Sequence, residues 1–140
     1  NDEWNEPLFE KRMQMGDDLG ERMLNAFTSL FNNGYEHVAI IGSDCPAITA
    51  ALVDKAFHQL KMNDIVVGPA TDGGYYLLAL KRLCAELFQN ISWSTSHVLS
   101  QTLAVCNNLN LSAHLLPPLS DVDVEGDILN HGEFFTVKKE

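Results

Sequence analysis

The chain has 140 residues and a hydrophobic fraction of 46%, ordinary for one globular domain with one core. At this length about 68% of the unfolded chain's surface can be buried. Nine basic and nineteen acidic residues give a formal net charge of −10, which argues against a nucleic-acid-binding surface, and no apolar run approaches the ~18 residues needed to cross a membrane.

Residues 1–16 have mixed polarity and no clear period. Asp17 and Asp18 can each cap a helix, with Glu21 at capping-box distance from Asp18. Leu19, Met23, Ala26, Phe27 and Leu30 then recur at helical spacing, and Asn32-Asn33-Gly34 stops that helix. Val38 to Ile41 is an unbroken apolar run, expected of a parallel strand covered on both faces. A helix is predicted from about Thr49 to Lys61, with Val53, Ala56, Phe57 and Leu60 on its inner face. Asp64 to Gly68 reads as a second strand, Thr71-Asp72-Gly73-Gly74 as a turn and Tyr75 to Leu80 as a third strand. A short helical piece is expected over Arg82 to Phe88. Ser94-Thr95-Ser96 can cap a helix to about Cys106, with Val98, Leu99, Thr102, Leu103 and Cys106 inward. A fourth strand near Ala113 to Leu116 and a last short helix over Val124 to His131 complete the reading. This alternation predicts one α/β domain over residues 1–140 with a mostly parallel sheet.

Ligands of open α/β sheets bind beyond the carboxyl ends of the strands. Asp44 stands just past the first strand, and Pro46 keeps Cys45 out of the helical region. Its carboxylate either caps the following helix or faces a divalent ion. Asp72-Gly73-Gly74 follows the second strand on the same edge. It is either plain turn chemistry or a place where bare backbone meets a ligand. Ser94-Thr95-Ser96 opens a helix whose N–H groups either are capped or bind an anion, and Trp93 before it reads as core. Asp121 and Asp123 flank Val122, so in an extended segment they share a side. They form a solvated face or a cap for the next helix, or one of them completes a two-carboxylate cation site with Asp44. The histidines make no HxxxH or HxH pair. Cys45, Cys84 and Cys106 make no CxxC, so they read as reduced thiols of a cytoplasmic protein.

Together and in order, "GDDLGERM", "IIGSDCPAI", "VVGPATDGGYYLLAL", "LFQNISWST" and "LSDVDVEGD" resemble the DUF2064 family, also called radical-SAM/selenodomain-associated transferases. That family looks related to GT-A glycosyltransferases and to the molybdopterin and 2-phospholactate guanylyltransferases. The resemblance implies a Rossmann-like, three-layer GT-A or nucleotidyltransferase-type fold. It implies glycosyl or nucleotidyl transfer from a nucleotide-activated small molecule, with Mg²⁺ or Mn²⁺ on the phosphates. It places Asp44 and Asp123 as metal ligands and Asp44 and Asp72 as catalytic carboxylates. Gly73 and Gly74 line the transferred group or acceptor, and Ser94 and Thr95 fall in a substrate-side motif. The resemblance also places a strand and a nucleotide-gripping loop ahead of Asn1. The domain is therefore expected to be N-terminally truncated, with a homodimer covering the exposed edge. The other reading is a catalytically silent α/β module for binding or assembly.

Overall fold

The computed structural model describes residues 9–11, 19–42, 48–93, 95–119 and 134–139. In chain order the elements are β1 (Phe9–Lys11), α1 (Leu19–Asn32), β2 (His37–Gly42), α2 (Ala50–Leu60), β3 (Ile65–Pro69) and β4 (Tyr75–Leu80). A 3-10 helix (Ala85–Phe88), α3 (Val98–Asn108), β5 (Ala113–Leu115) and β6 (Phe134–Lys139) follow. The strands form one six-stranded sheet in the order β1-β6-β2-β4-β3-β5.

The expectation of a mostly parallel sheet is corrected: every neighbouring pair is antiparallel except β3–β5. The reason is the connection between β3 and β4. Only residues 70–74 join them, and a parallel return needs a dozen or more residues. β4 therefore folds back on β3 and occupies the place between β3 and β2. The helical crossovers still leave β2, β3 and β5 pointing one way, as strand–helix–strand units do, but β4 separates β2 from β3. Phe134-Phe135-Thr136-Val137, an apolar β-type run, inserts as β6 between β1 and β2.

The helix faces follow the sequence period. α2 buries Val53, Ala56, Phe57 and Leu60 and packs on β3 and β4. Thr49 is its N-cap, with Oγ1 accepting the Leu52 N–H at 3.2 Å. α1 buries Leu19, Gly20, Met23, Ala26, Phe27 and Leu30 and packs on β2 and the 3-10 helix. It ends in a Schellman motif: Gly34 has φ +95°, Tyr35 N–H donates to Leu30 O and Gly34 N–H to Phe31 O. Both faces of β4 are buried, as a strand between two layers of side chains must be. The predicted helix over Val124 to His131 lies outside the described residues.

The end of the sheet where β3 and β5 begin is closed by a local network. Asp64 Oδ2 accepts the Ser112 N–H at 2.9 Å, and Asp64 N–H donates to Ser112 Oγ at 2.9 Å. Among the described residues no helix is long and apolar enough to cross a membrane.

Phe27 is fully buried, and its ring lies 5.7 Å from Phe88 and 6.3 Å from Phe31. Its truncation leaves a cavity between α1 and the 3-10 helix. Phe27→Ala should lower unfolding free energy by about 3–5 kcal/mol in denaturant titrations. A loss under about 1 kcal/mol would contradict this packing.

Candidate functional site

One edge of the sheet gathers the candidate segments. β2 ends there at Gly42, which pairs with Phe134, the first residue of β6. β3 ends there at Pro69, which pairs with Tyr75, the first residue of β4. β5 ends there too, and an isolated Ala70–Leu119 bridge carries the β3–β5 pairing past the sheet proper. The β3–β4 register shifts between Gly68 and Pro69, an irregularity of the kind that re-aims side chains at strand ends.

The loop 70–74 is held from within and from both sides. Gly73 N–H donates to Ala70 O at 3.2 Å, and Gly74 N–H donates to Asp72 Oδ1 at 3.1 Å. The half-buried Asp72 thus forms an Asx-turn. Both glycine amides are engaged inside the loop, the turn chemistry that is one of the two readings the sequence leaves open. Thr71 N–H donates to Leu119 O at 3.2 Å, and Leu99 N–H of α3 donates to Gly73 O at 2.8 Å.

That last bond corrects the expected capping of α3. The helix starts at Val98 rather than near Ser94, and its N-cap, His97, makes no side-chain cap bond. Thr95 turns the chain just before it: Oγ1 donates to Ser92 O at 2.6 Å and accepts the His97 N–H at 3.2 Å. The free amide at Leu99 is satisfied by the Gly73 carbonyl instead, a partner 26 residues away in sequence. Gln101 braces the same turn, with Oε1 accepting the Ser92 N–H at 2.7 Å and Nε2 donating to Ser92 Oγ at 3.1 Å.

Gly73 has φ +99°, and a Cβ there would lie 2.6 Å from Ser96 Cα. The glycine is needed twice, for its left-handed backbone and for direct contact with the segment before α3. Trp93 is half-buried against α1, where a Cβ on Gly20 would lie 2.6 Å from its Nε1. It is thus a packing residue between the pre-α3 turn and the start of α1. Tyr75 and Tyr76 are both buried. Tyr75 Oη meets Met23 Sδ of α1 at 4.0 Å, and Tyr76 Oη donates to Pro117 O at 2.8 Å. These contacts bring the N-terminal turn of α1, the start of β4, the β3–β4 loop and the pre-α3 turn to the same edge.

Asp44, Ser94, Asp121 and Asp123 lie outside the described residues. Among the described residues, no group of three or more His, Cys, Asp or Glu could hold a metal ion. Cys84 and Cys106 are free thiols. Burial, with a smaller push from the neighbouring Cys84, raises Cys106 to about 11, so it is a protonated core group rather than a nucleophile. The bond from Gly73 to α3 is the feature that sequence reasoning missed. Nothing in local spacing announces a helix capped by a distant carbonyl.

Ligands of open α/β sheets bind beyond the carboxyl ends of the strands, the edge at which these loops gather. The chain belongs to the DUF2064 family, described as "Uncharacterized protein conserved in bacteria", which matches residues 1–95. It is similar to a crystal structure from Desulfovibrio desulfuricans G20, described as a "putative nucleotide-diphospho-sugar transferase". The identity is 39% and the TM-score 0.75, over 79% of this chain and 48% of that one. The present chain thus spans about half the length of that protein. No curated protein matches the chain.

Substitution at Gly73 tests the loop directly. Gly73→Ala should destabilise the chain by about 2–4 kcal/mol, from positive-φ strain plus displacement of Ser96. A loss this large should appear as a drop in melting temperature. An unchanged melting temperature would contradict the docking of loop 70–74 on α3.

Proposed function

We propose that this chain belongs to a transferase that moves a glycosyl or nucleotidyl group from a nucleotide-activated donor with the help of Mg²⁺ or Mn²⁺. The observation that carries the reading is the convergence at one sheet edge of β2's end, the Asp72-Gly73-Gly74 loop and the Thr95 turn. The 39% identity to a protein described as a "putative nucleotide-diphospho-sugar transferase" supports the substrate class. The GT-A type of fold and a cytoplasmic location belong to the same proposal.

In this reading Asp44 and Asp123 hold the cation. Asp44 follows Gly42 by two residues, and Asp123 lies in the segment that leads to Gly42's pairing partner, Phe134. A divalent cation there would offset the negative charge that builds on the leaving diphosphate. Its carboxylate ligands would be hard oxygen donors suited to Mg²⁺ or Mn²⁺. Gly73 and Gly74 put backbone without side chains beside the transferred group or acceptor, and Ser94 and Thr95 add hydroxyls. Asp72, besides holding its turn, orients the acceptor.

Two measurements test this. A panel of nucleotides and nucleotide sugars with Mn²⁺ should raise the melting temperature of the chain. At a hundredfold excess over Kd the rise should be roughly 5–10 °C, because ligand binds only the folded state. Asp44→Ala should abolish the rise. Cooperative melting with no shift across the panel would instead favour the silent binding or assembly module. Asp72→Asn keeps the Oδ1 acceptor of the turn and removes the charge. It should leave the melting temperature within about 1 °C while lowering transfer at least tenfold. Unchanged transfer would confine Asp72 to its turn.

A further inference from the structure

The segment Gly20-Glu21-Arg22-Met23 opens α1, and packing accounts for two of its residues. Gly20 admits the Trp93 ring, and Met23 meets Tyr75. Glu21 stands in the first turn, where the helix dipole favours an acid. Arg22 has no such account. Its Nε is shut off from solvent without a hydrogen-bond partner. Among the described residues it is the only buried side-chain nitrogen or oxygen in that condition. An unmade hydrogen bond on a charged group destabilises the fold, and a cation close to a helix N-terminus opposes the dipole. Both effects run against stability, so stability does not explain the residue. A buried donor left open in a native fold points to a partner the chain itself does not supply.

The place of Arg22 fits an anionic partner. Helical side chains lean toward the helix N-terminus. That end of α1 lies at the site edge, because Met23 meets the first residue of β4 and Gly20 meets Trp93 just before the Thr95 turn. The chain carries net charge −10, so an anionic ligand is repelled overall and needs a local cation to be held. We infer that Arg22 binds the diphosphate of the ligand at this edge, its guanidinium fork donating to phosphate oxygens. This rests on the transferase reading and names the residue that would grip the leaving group.

Isothermal titration with inorganic diphosphate, nucleoside diphosphates and the matching nucleosides tests it, using the wild-type chain, Arg22→Lys and Arg22→Met. The wild type should bind the diphosphate-bearing probes. Arg22→Met should weaken that binding at least tenfold and Arg22→Lys less, while nucleoside binding stays unchanged. Without ligand, Arg22→Met should melt at the same temperature or higher, because it removes the unpaired donor and keeps an apolar stem. Wild-type nucleoside diphosphate binding that Arg22→Met leaves intact would overturn the role of Arg22 and spare the transferase reading. No binding of any diphosphate probe to the wild type would overturn both. If ligand-free Arg22→Met unfolds or melts several degrees lower, Arg22 is structural and the inference fails.

Discussion

The connection between β3 and β4 constrains everything else in this chain. It is too short to cross over, so β4 must reverse beside β3 and take a central place in the sheet. That placement buries Tyr75 to Leu80 on both faces and brings the loop 70–74 to the edge where β2 ends. The loop then supplies the carbonyl that caps α3. One tight turn thereby links the direction of the sheet, the start of a helix and the geometry of the candidate site.

Much of this was legible in the sequence where a local period was sufficient. The inward face of α2 and the stop of α1 at Gly34 follow from helical spacing and from a glycine that tolerates positive φ. The strands Val38 to Ile41 and Tyr75 to Leu80 were equally plain. Direction was less so, because apolar runs look alike in parallel and antiparallel sheets. The length of the loop 70–74 carried the answer and outweighed the apparent helix–strand alternation. β6 also left a signal in Phe134 to Val137, whereas β1 is too short to show one. At the site, the Asx-turn at Asp72 was readable from Asp-Gly-Gly. The capping of α3 by Gly73 depends on tertiary contact and was not.

The described carboxylates also show how aspartates at strand ends divide their work. Asp64, before β3, bonds to Ser112 and closes one end of the sheet. Asp72, after β3, closes its own turn at the other end. Each is partnered by backbone, the economical solution for a carboxylate beside a strand. Arg22 is the counter-case, a charged side chain with a buried donor left open at the end where ligands of such sheets bind. Two independent features meet at this edge: backbone segments converge there, and the buried Nε of Arg22 has no hydrogen-bond partner.

The central claim is that this one edge binds a divalent cation with a phosphate-bearing ligand. Paramagnetic broadening of backbone amide signals by Mn²⁺, with a nucleoside diphosphate present, tests it most directly. The account predicts early loss of the signals of Gly42, Gly74, Tyr75 and Leu99. The signals of Gly34, Asp64 and Ala113, at the opposite end of the sheet, should stay sharp. Broadening centred on that opposite end, or spread evenly over the acidic surface, would contradict it.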